Sequence, residues 1–355
     1  MRVIAEVKDD KRPHQAEVEV VPIRNFMVVI DYDGKSGSEG DNQRETIKFE
    51  NLEKYNWIGI YAKDFQDAEK QLKEKIQKVV GKDGEAANVV LRSHGGFGID
   101  ENGNASLDNI GIYTNNNTNS HIQTYHLNDL LRLTIGIPEE EKTREKYFKE
   151  REEKREERRL KRQERANARK DKNDKRSKEE KEEEEHNDEE EERKDSRQKE
   201  NDADRLQMFY DNIKKEKEKL NSNLTQQVKE DISSLLNMIN CVKSEGNFVV
   251  GSCHSAYSQG FMSNLLQLIE KPTNLIGIEG MGRFSVVTRP GNPEGLVDAE
   301  QLWDGEGPPK GHNSLLYRDE EIPDNRALKF SKSSATPDSL KDMLIVHDGL
   351  QFINE

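Results

Sequence analysis

Residues 89–96 have the sequence VVLRSHGG, and residues 248–255 have the sequence FVVGSCHS. Each segment begins with a short apolar run, which predicts a buried strand, and then reaches a reactive residue next to glycine or small polar residues. The carboxyl ends of parallel strands share one edge of an open α/β sheet, and such sheets carry their chemistry at that edge. We therefore expect His94 and Cys253 to meet there as base and nucleophile.

The residues before and around the first segment predict a strand–helix–strand unit. An apolar run at 26–30 predicts a central buried strand that ends in a turn at 31–34. Apolar residues at 65–80 recur at spacings of three and four, which predicts a helix with one buried face. With further strands at 57–61 and 88–91, we expect parallel strands joined by a right-handed crossover.

The alternation of helix and strand continues around the second segment. It predicts the α/β fold class, with an open, mostly parallel sheet that is flanked by helices. The other elements that we expect are strands at 110–113, 248–250, 275–278, 284–287, 327–330 and 343–346, and helices at 127–133, 224–239 and 257–269.

Charged residues make up 35% of the chain and are concentrated in one stretch. We therefore expect the first part of an α/β domain at 1–137, a charged insert at 138–205, the second part of the domain at 206–290, and a C-terminal extension at 291–355 that completes it. Glu and Arg at i,i+4 spacing in the first half of the insert predict a solvated helix, whereas the like-charged second half predicts fraying or disorder. Apolar residues are too sparse there for a coiled-coil seam, so we expect a solvated surface arm, with partner binding through it as the alternative.

The overall composition excludes several classes of protein. A formal net charge of −14 argues against general nucleic-acid binding, which needs a basic face. No apolar stretch approaches the roughly 20 residues of a membrane span, and the N-terminus becomes polar too early for a signal peptide. Two cysteines, Cys241 and Cys253, make no disulfide framework, so we expect a reduced, cytoplasmic setting. Cys241 falls on a predicted helix and is expected to pack there.

A cysteine that attacks an amide needs two kinds of help. A neighbouring imidazole must keep the thiol as thiolate or take its proton, and must then protonate the leaving amine. Backbone N–H groups must stabilise the oxyanion. Gly95 and Gly96 allow the chain to turn and present an amide, and the amide of Cys253, near the start of a predicted helix, offers a second donor and a helix dipole that lowers the thiol pKa.

The segments Ser93–Gly96 and Ser252–Ser255 resemble the caspase-like clan of cysteine peptidases, and metacaspases most closely. In that family a His-Gly pair follows one strand, and a Ser-Cys-His-Ser or Ala-Cys segment follows the next core strand. The resemblance implies a caspase-like fold and cysteine endopeptidase activity. It also implies that His94 is the general base and acid, that Cys253 is the nucleophile, and that Gly95 is an oxyanion donor.

The resemblance covers residues 22–135 and 205–290 and implies a protein or peptide substrate. It implies no cofactor in the chemistry, but it allows calcium as an activator, because some metacaspases need it; no loop matches an EF-hand. Many metacaspases place an acidic residue where Gly251 stands and use it in a pocket for Arg or Lys. Asp31 can line such a pocket, with Asp33 as a lesser helper, so cleavage after basic residues is a hypothesis. Self-activation is not implied, because the charged insert precedes the cysteine whereas the caspase processing linker follows it.

Two other functions remain open on the sequence alone. Residues 251–255 resemble the nucleophile elbow of an α/β-hydrolase, and residues 94–97 resemble a lipase oxyanion loop, in which case His312 or His347 would be the base. The protein could also be a catalytically weak or inactive caspase-fold module that binds a partner through its charged arm. His254 is expected to make a structural or solvent contact in either case.

Overall fold

The computed structural model describes residues 2–5, 18–21, 24–30, 56–99, 105–114, 121–171, 178–252, 254–257, 259–279, 285–288, 297–301, 327–346 and 349–354. The chain divides into two compact units, one made of residues 1–128 and 224–355 and the other of residues 129–223. The first unit has the predicted α/β class, and the second unit is helical. The second unit therefore extends beyond the charged insert expected at 138–205, at both of its ends.

The elements follow in chain order. The strands are β1 (Arg2–Ala5), β2 (Val18–Val21), β3 (Asn25–Ile30), β4 (Trp57–Ala62), β5 (Ala86–Arg92), β6 (His94–Ile99), β7 (Ala105–Tyr113), β8 (His121–Gln123), β9 (Val242–Val250), β10 (Asn274–Ile278), β11 (Ser285–Thr288), β12 (Val297–Gln301), β13 (Ala327–Phe330), β14 (Asp338–Val346) and β15 (Gly349–Asn354). The helices are α1 (Phe65–Val79), α2 (Thr124–Leu131), α3 (Ile137–Asp171), α4 (Lys178–Asn223), α5 (Gln226–Asn240) and α6 (Gly260–Leu268), with a π-helical turn at Arg132–Gly136 between α2 and α3.

Five strands form the parallel part of the main sheet. Their order across the sheet is β4-β3-β5-β9-β10, and each neighbouring pair is parallel. The strands are rich in fully buried Val, Ile, Leu and Phe, as expected where helices cover both faces of a parallel sheet. The strands predicted at 26–30, 57–61, 88–91, 248–250 and 275–278 are confirmed, although β9 begins earlier than predicted, at Val242.

A row of four asparagines crosses β3, β5, β9 and β10, and each asparagine directly precedes the apolar run of its strand. The Asn88 amide donates to Asn25 Oδ1 at 2.8 Å, and the Asn247 amide donates to Asn88 Oδ1 at 2.7 Å. The Asn274 amide extends the row to Asn247 Oδ1 at 3.3 Å. These residues are directly paired in the strand register, so each side chain bonds its counterpart on the next strand. A shift of one residue would turn the side chains to the opposite face and break the row.

The other strands of the main sheet are antiparallel. β13 pairs with β10 in the opposite direction, and β14, β12 and β11 follow, with β15 pairing on β14. β13 coincides with the strand predicted at 327–330, and the strand predicted at 343–346 is the end of the longer β14. The strand predicted at 284–287 corresponds to β11, which begins at Ser285, and Phe284 lies outside the described residues.

Two amphipathic helices of the α/β unit pack against each other. α1 begins after Asp64, whose carboxylate accepts the Asp67 N–H at 2.8 Å. Its buried face has the predicted spacing, with Phe65, Ala68, Leu72 and Ile76. Burial of each larger side chain contributes about 1.5–3 kcal/mol. α5, predicted at 224–239, contacts α1, and the Gln66 amide donates to Asp231 at 2.7 Å.

A small antiparallel sheet follows β5 directly. β6 begins at His94, two residues after β5 ends, and pairs with β7, which pairs with β8. The sequence predicted a turn at the two glycines after His94, whereas the structure continues as a strand there. The helix predicted at 127–133 begins earlier, at Thr124, and the helix predicted at 257–269 begins later, at Gly260.

The helical unit contains the two longest helices, α3 and α4, joined through residues 172–177, which are outside the described part. Charged side chains connect the helices: Arg151 and Arg155 donate to the two oxygens of Asp202 at 2.6 and 2.7 Å, and Arg162 donates to Asp195 at 2.7 Å. These ion pairs connect α3 and α4 in the way that apolar contacts connect the helices of a coiled coil. α4 is also helical where the sequence predicted fraying or disorder. Within the described ranges, no helix is both long and apolar enough to cross a membrane.

We expect Asn88→Ala to destabilise the α/β unit strongly. The change removes the middle of the asparagine row and leaves the amide groups of Asn25 and Asn247 without this partner, which should lower the free energy of unfolding by about 2–4 kcal/mol. Urea unfolding followed by tryptophan fluorescence measures this, because Trp57 is fully buried in β4. Asn274→Ala is the matched control: it removes one bond of the row, at 3.3 Å, and an exposed bond to the Glu245 carbonyl at 3.0 Å, so its loss should be smaller. Equal losses in the two variants would contradict a register-setting role for the row.

Candidate functional site

The carboxyl ends of β5 and β9 lie side by side at one rim of the main sheet. Leu91 pairs with Val250, and the Gly251 N–H donates to the Leu91 carbonyl at 2.7 Å. The two backbones approach closely here, as shown by the 3.2 Å that would separate a Cβ on Gly251 from the Leu91 oxygen. The two quoted segments therefore reach the same rim on neighbouring parallel strands, as the sequence predicted.

A hydroxyl pair joins the two strand ends. The Ser93 and Ser252 Oγ atoms are 2.7 Å apart, and the residues are 159 positions apart in sequence. Both are buried, with 7% of Ser93 and none of Ser252 exposed. Asn88 and Asn247, in the row that precedes the apolar runs of the same strands, have the same separation of 159, so the register is kept between the two levels.

His94 is half-buried at the beginning of β6, opposite Tyr113 of β7. Burial, followed by the positive charge of Arg92, lowers the pKa of the His94 imidazole from 6.5 to about 4. The imidazole is therefore neutral at neutral pH, which is the form in which histidine can accept a proton. The candidate base thus follows immediately after the hydroxyl pair.

The glycines after His94 belong to the edge of the small sheet. Gly95 pairs with Ile112 of β7, and the Tyr113 ring lies close to Gly96, where a Cβ would be 3.6 Å from the ring. The backbone here is fixed by strand pairing rather than by the free turn that the sequence predicted. The role of Gly95 as an oxyanion donor stays a prediction.

The chain after β9 is bound to the end of β10. The Ser255 hydroxyl donates to the Val250 carbonyl at 2.9 Å and accepts the Ile278 N–H at 3.0 Å. The Ala256 N–H donates to the Ile278 carbonyl at 2.9 Å. Gly277 permits this approach, because a Cβ there would meet the Ala256 side chain at 2.9 Å. The segment that follows the candidate nucleophile is therefore held to β10.

His254 adopts a strained backbone conformation in this segment. Its φ is 59°, in the left-handed region that non-glycine residues adopt infrequently. Its Nδ1 lies 3.1 Å from the Glu279 carbonyl oxygen, so the residue makes the structural contact expected of it. Strained residues of this kind cluster at functional sites, where the surrounding structure offsets their cost of about 1–3 kcal/mol.

Two charged residues at the strand ends were missed by the sequence analysis. Arg92, the last residue of β5, and Glu279, which follows β10, are each 5% exposed. Charged residues are rarely buried to this degree in proteins unless they are paired. In sequence they follow apolar strands without any motif, and only the fold brings the ends of β5 and β10 to the same rim.

Several predicted residues lie outside the described part of the structure. These are Cys253, Asp31, Asp33, His312 and His347. The helix that follows Cys253 begins at Gly260. The effect of a helix dipole on a pKa declines within the first turn of the helix. Cys253 is therefore too far from Gly260 in sequence for that proximity to support the expected lowering of the thiol pKa.

The other cysteine has the properties of a packing residue. Cys241 caps the carboxyl end of α5, is half-buried, and forms no disulfide. Burial raises the pKa of the Cys241 thiol, which disfavours the thiolate that a nucleophile needs. Its surroundings agree with the expected packing role.

A second histidine with a lowered pKa lies beyond the small sheet. His126 of α2 is 2% exposed, and its Nδ1 accepts the Gln123 N–H at 3.2 Å. Burial, followed by the charge of His121, lowers the pKa of His126 to about 4. His126 therefore packs as a neutral ring, with its Tyr125 neighbour at 4.0 Å between ring centroids.

We expect the protein to lose stability as the pH falls from about 6.5 to about 4. Both His94 and His126 have folded-state pKa values below the unfolded value of 6.5, so the unfolded chain binds more protons in this range. Protonation of His126 alone should cost roughly 2–3 kcal/mol. Urea unfolding at a series of pH values measures this. His126→Gln should reduce the slope between pH 6.5 and 4, and an unchanged slope would contradict the assignment.

Comparisons with known proteins leave the family of the chain open. No protein-family model, curated protein or solved structure matches it. The resemblance to the caspase-like clan therefore depends on the two quoted segments and on the rim where they end. Any function must be inferred from the residues of that rim.

Proposed function

We propose that this protein is a cysteine endopeptidase in which Cys253 is the nucleophile and His94 is the general base and acid. The observation that supports the proposal is the 2.7 Å contact between Ser93 and Ser252 at the ends of neighbouring parallel strands. His94 and Cys253 each follow one residue later in the chain. The parallel order of strands and the flanking helices are also compatible with a caspase-like layout.

The proposed reaction has two stages. In the first, His94 takes the proton of the Cys253 thiol as the sulfur bonds to the carbonyl carbon of the scissile amide. The tetrahedral intermediate collapses to a thioester, and the protonated His94 gives its proton to the leaving amine. In the second, His94 takes a proton from water, whose oxygen attacks the thioester, and the thiol regains its proton as the acid product leaves.

The oxyanion of each tetrahedral intermediate needs backbone donors. In the proposed site these are the amides of Gly95 and Cys253, aimed at the carbonyl oxygen of the substrate. The strand pairing of Gly95 and the anchoring of Ser255 to β10 support this role, because preorganised donors are not displaced during the reaction. Loss of one such donor typically costs about 10²–10³-fold in rate.

The substrate preference is a separate proposal. Many metacaspases have an acidic residue where Gly251 stands, and Asp31 can line the pocket for a basic side chain in its place. Glu279 is a buried carboxylate directly after β10. Arg92 is a buried cation at the rim, and an excess of positive charge would favour an acidic side chain instead. We favour basic side chains, because many metacaspases bind Arg or Lys in this pocket and Asp31 can supply its carboxylate.

The assignment of the dyad predicts that Cys253→Ala and His94→Gln each lower the rate of peptide cleavage by about 10³-fold or more. Each change removes a group that makes or breaks bonds in the proposed reaction. Cleavage of a diverse peptide library, with product analysis by mass spectrometry, measures the rates. Cys241→Ala is the matched control and should retain the wild-type rate. If Cys253→Ala cleaves as fast as the parent, the endopeptidase proposal is wrong.

The proposed pocket predicts faster cleavage after Arg or Lys than after Asp or Leu. Asp31→Asn should lower kcat/KM for basic substrates by about 10-fold or more, because it removes the negative charge that would pair with the substrate, while neutral substrates change little. Fluorogenic peptides that differ only in the residue before the cleaved bond measure the ratio of the kcat/KM values. Each peptide is assayed with calcium and with a chelator, so that activation by calcium is also measured. A preference for acidic peptides would assign the pocket to Arg92.

An α/β-hydrolase reaction is the second candidate, and the strained φ of His254 favours it, since a nucleophile elbow is a strained turn. In that case esterase activity would be lost in His312→Gln or His347→Gln and kept in His94→Gln.

A binding module without activity is the third candidate. It would be supported if Cys253 in the folded protein did not react with a peptide bearing an electrophilic ketone.

A further inference from the structure

The hydroxyl pair Ser93–Ser252 stands at the point where two chain segments separate. Before it, β5 and β9 are joined by backbone bonds, of which the Gly251 N–H to Leu91 carbonyl bond is at the rim. After it, His94 enters β6 and pairs with Tyr113 of the small sheet. The other segment turns towards β10.

The pair also connects to the backbone of the candidate base. The Ser93 hydroxyl can donate to the His94 carbonyl at 3.4 Å, and the 2.7 Å contact then has the Ser252 hydroxyl donating to Ser93. A chain of hydrogen bonds thus runs from the residue before Cys253 to His94. Because both serines are buried, water does not compete readily for these bonds.

We infer that Ser93 and Ser252 are positioning residues that set the distance between His94 and Cys253, an inference that rests on the proposed function. In the proposed reaction, neither serine makes or breaks a bond. The pair acts by holding together the ends of β5 and β9, the strands that precede His94 and Cys253, where the two segments separate. A small displacement of a reacting group is costly, and an error of about 1 Å can reduce a rate by about 10²-fold.

A structural role and a positioning role differ in what they predict for the double variant. Ser93→Ala or Ser252→Ala alone leaves one buried hydroxyl without its partner, so each single variant should be less stable than wild type. Ser93→Ala with Ser252→Ala removes both hydroxyls, so stability should largely return. If the pair only satisfies buried polar groups, activity should return with stability. If the pair positions the dyad, activity should stay low.

The experiment measures the rate at which a peptidyl acyloxymethyl ketone labels Cys253, by mass spectrometry of the peptide that contains it, together with kcat and KM. We expect the stable double variant to label about 10- to 100-fold more slowly than wild type and to lose kcat with KM little changed. Ser93→Thr, which keeps a hydroxyl, should retain most of the rate. Ser331→Ala with Ser333→Ala is the matched control, because it removes an exposed hydroxyl pair whose oxygens are 3.0 Å apart.

His94→Gln separates the two ways in which the inference can fail. If wild type and His94→Gln label Cys253 at the same rate, there is no dyad, and the proposed function and the inference are both overturned. If wild type labels faster than His94→Gln and the double variant matches wild type, the dyad is real and the positioning role alone is overturned. Should the double variant be unstable, Ser93→Thr decides, since a rate as low as that of Ser93→Ala would also overturn the role.

Discussion

The asparagine row that precedes the apolar runs of the parallel strands is the constraint on which the rim at their carboxyl ends depends. Asn25, Asn88, Asn247 and Asn274 each bond the residue at the same level of the next strand, so the row exists in one register only. The separation of 159 between Asn88 and Asn247 recurs between the two serines at the rim. The asparagine row and the serine pair therefore hold β5 and β9 in the same register at two levels.

The apolar middle of β5 and β9 cannot fix the register of the two strands by itself. Val89, Val90 and Leu91 face Phe248, Val249 and Val250, and all six side chains are fully buried. Apolar burial favours any register that keeps these side chains covered, because the hydrophobic effect has no direction. Hydrogen bonds do have direction, and buried ones are costly to leave unmade. Polar groups at both ends thus specify a pairing that the apolar middle stabilises.

The sequence predicted those features that depend on local periodicity. The face of α1, from Phe65 to Ile76, and the buried parallel strands follow from spacing and composition alone. The partners of Asn88 and Ser93 do not, because they lie far along the chain and belong to no local pattern. β6 was missed because two glycines predict a turn unless a partner strand is present, and β7 provides one. The helix of α4 was missed because its contacts with α3, such as that between Arg155 and Asp202, offset the like-charge repulsion within it.

The electrostatics of the rim bear on how the proposed dyad would operate. With a pKa of about 4, His94 is a weak acceptor for the proton of a thiol, whose ordinary pKa is about 8.5. A preformed imidazolium–thiolate pair is therefore disfavoured, because burial and the Arg92 charge both oppose the imidazolium. The same positive charge stabilises an anion, which in the proposed reaction is the attacking sulfur or the oxyanion. In the proposed reaction, proton transfer from the thiol to His94 would then accompany attack on the substrate.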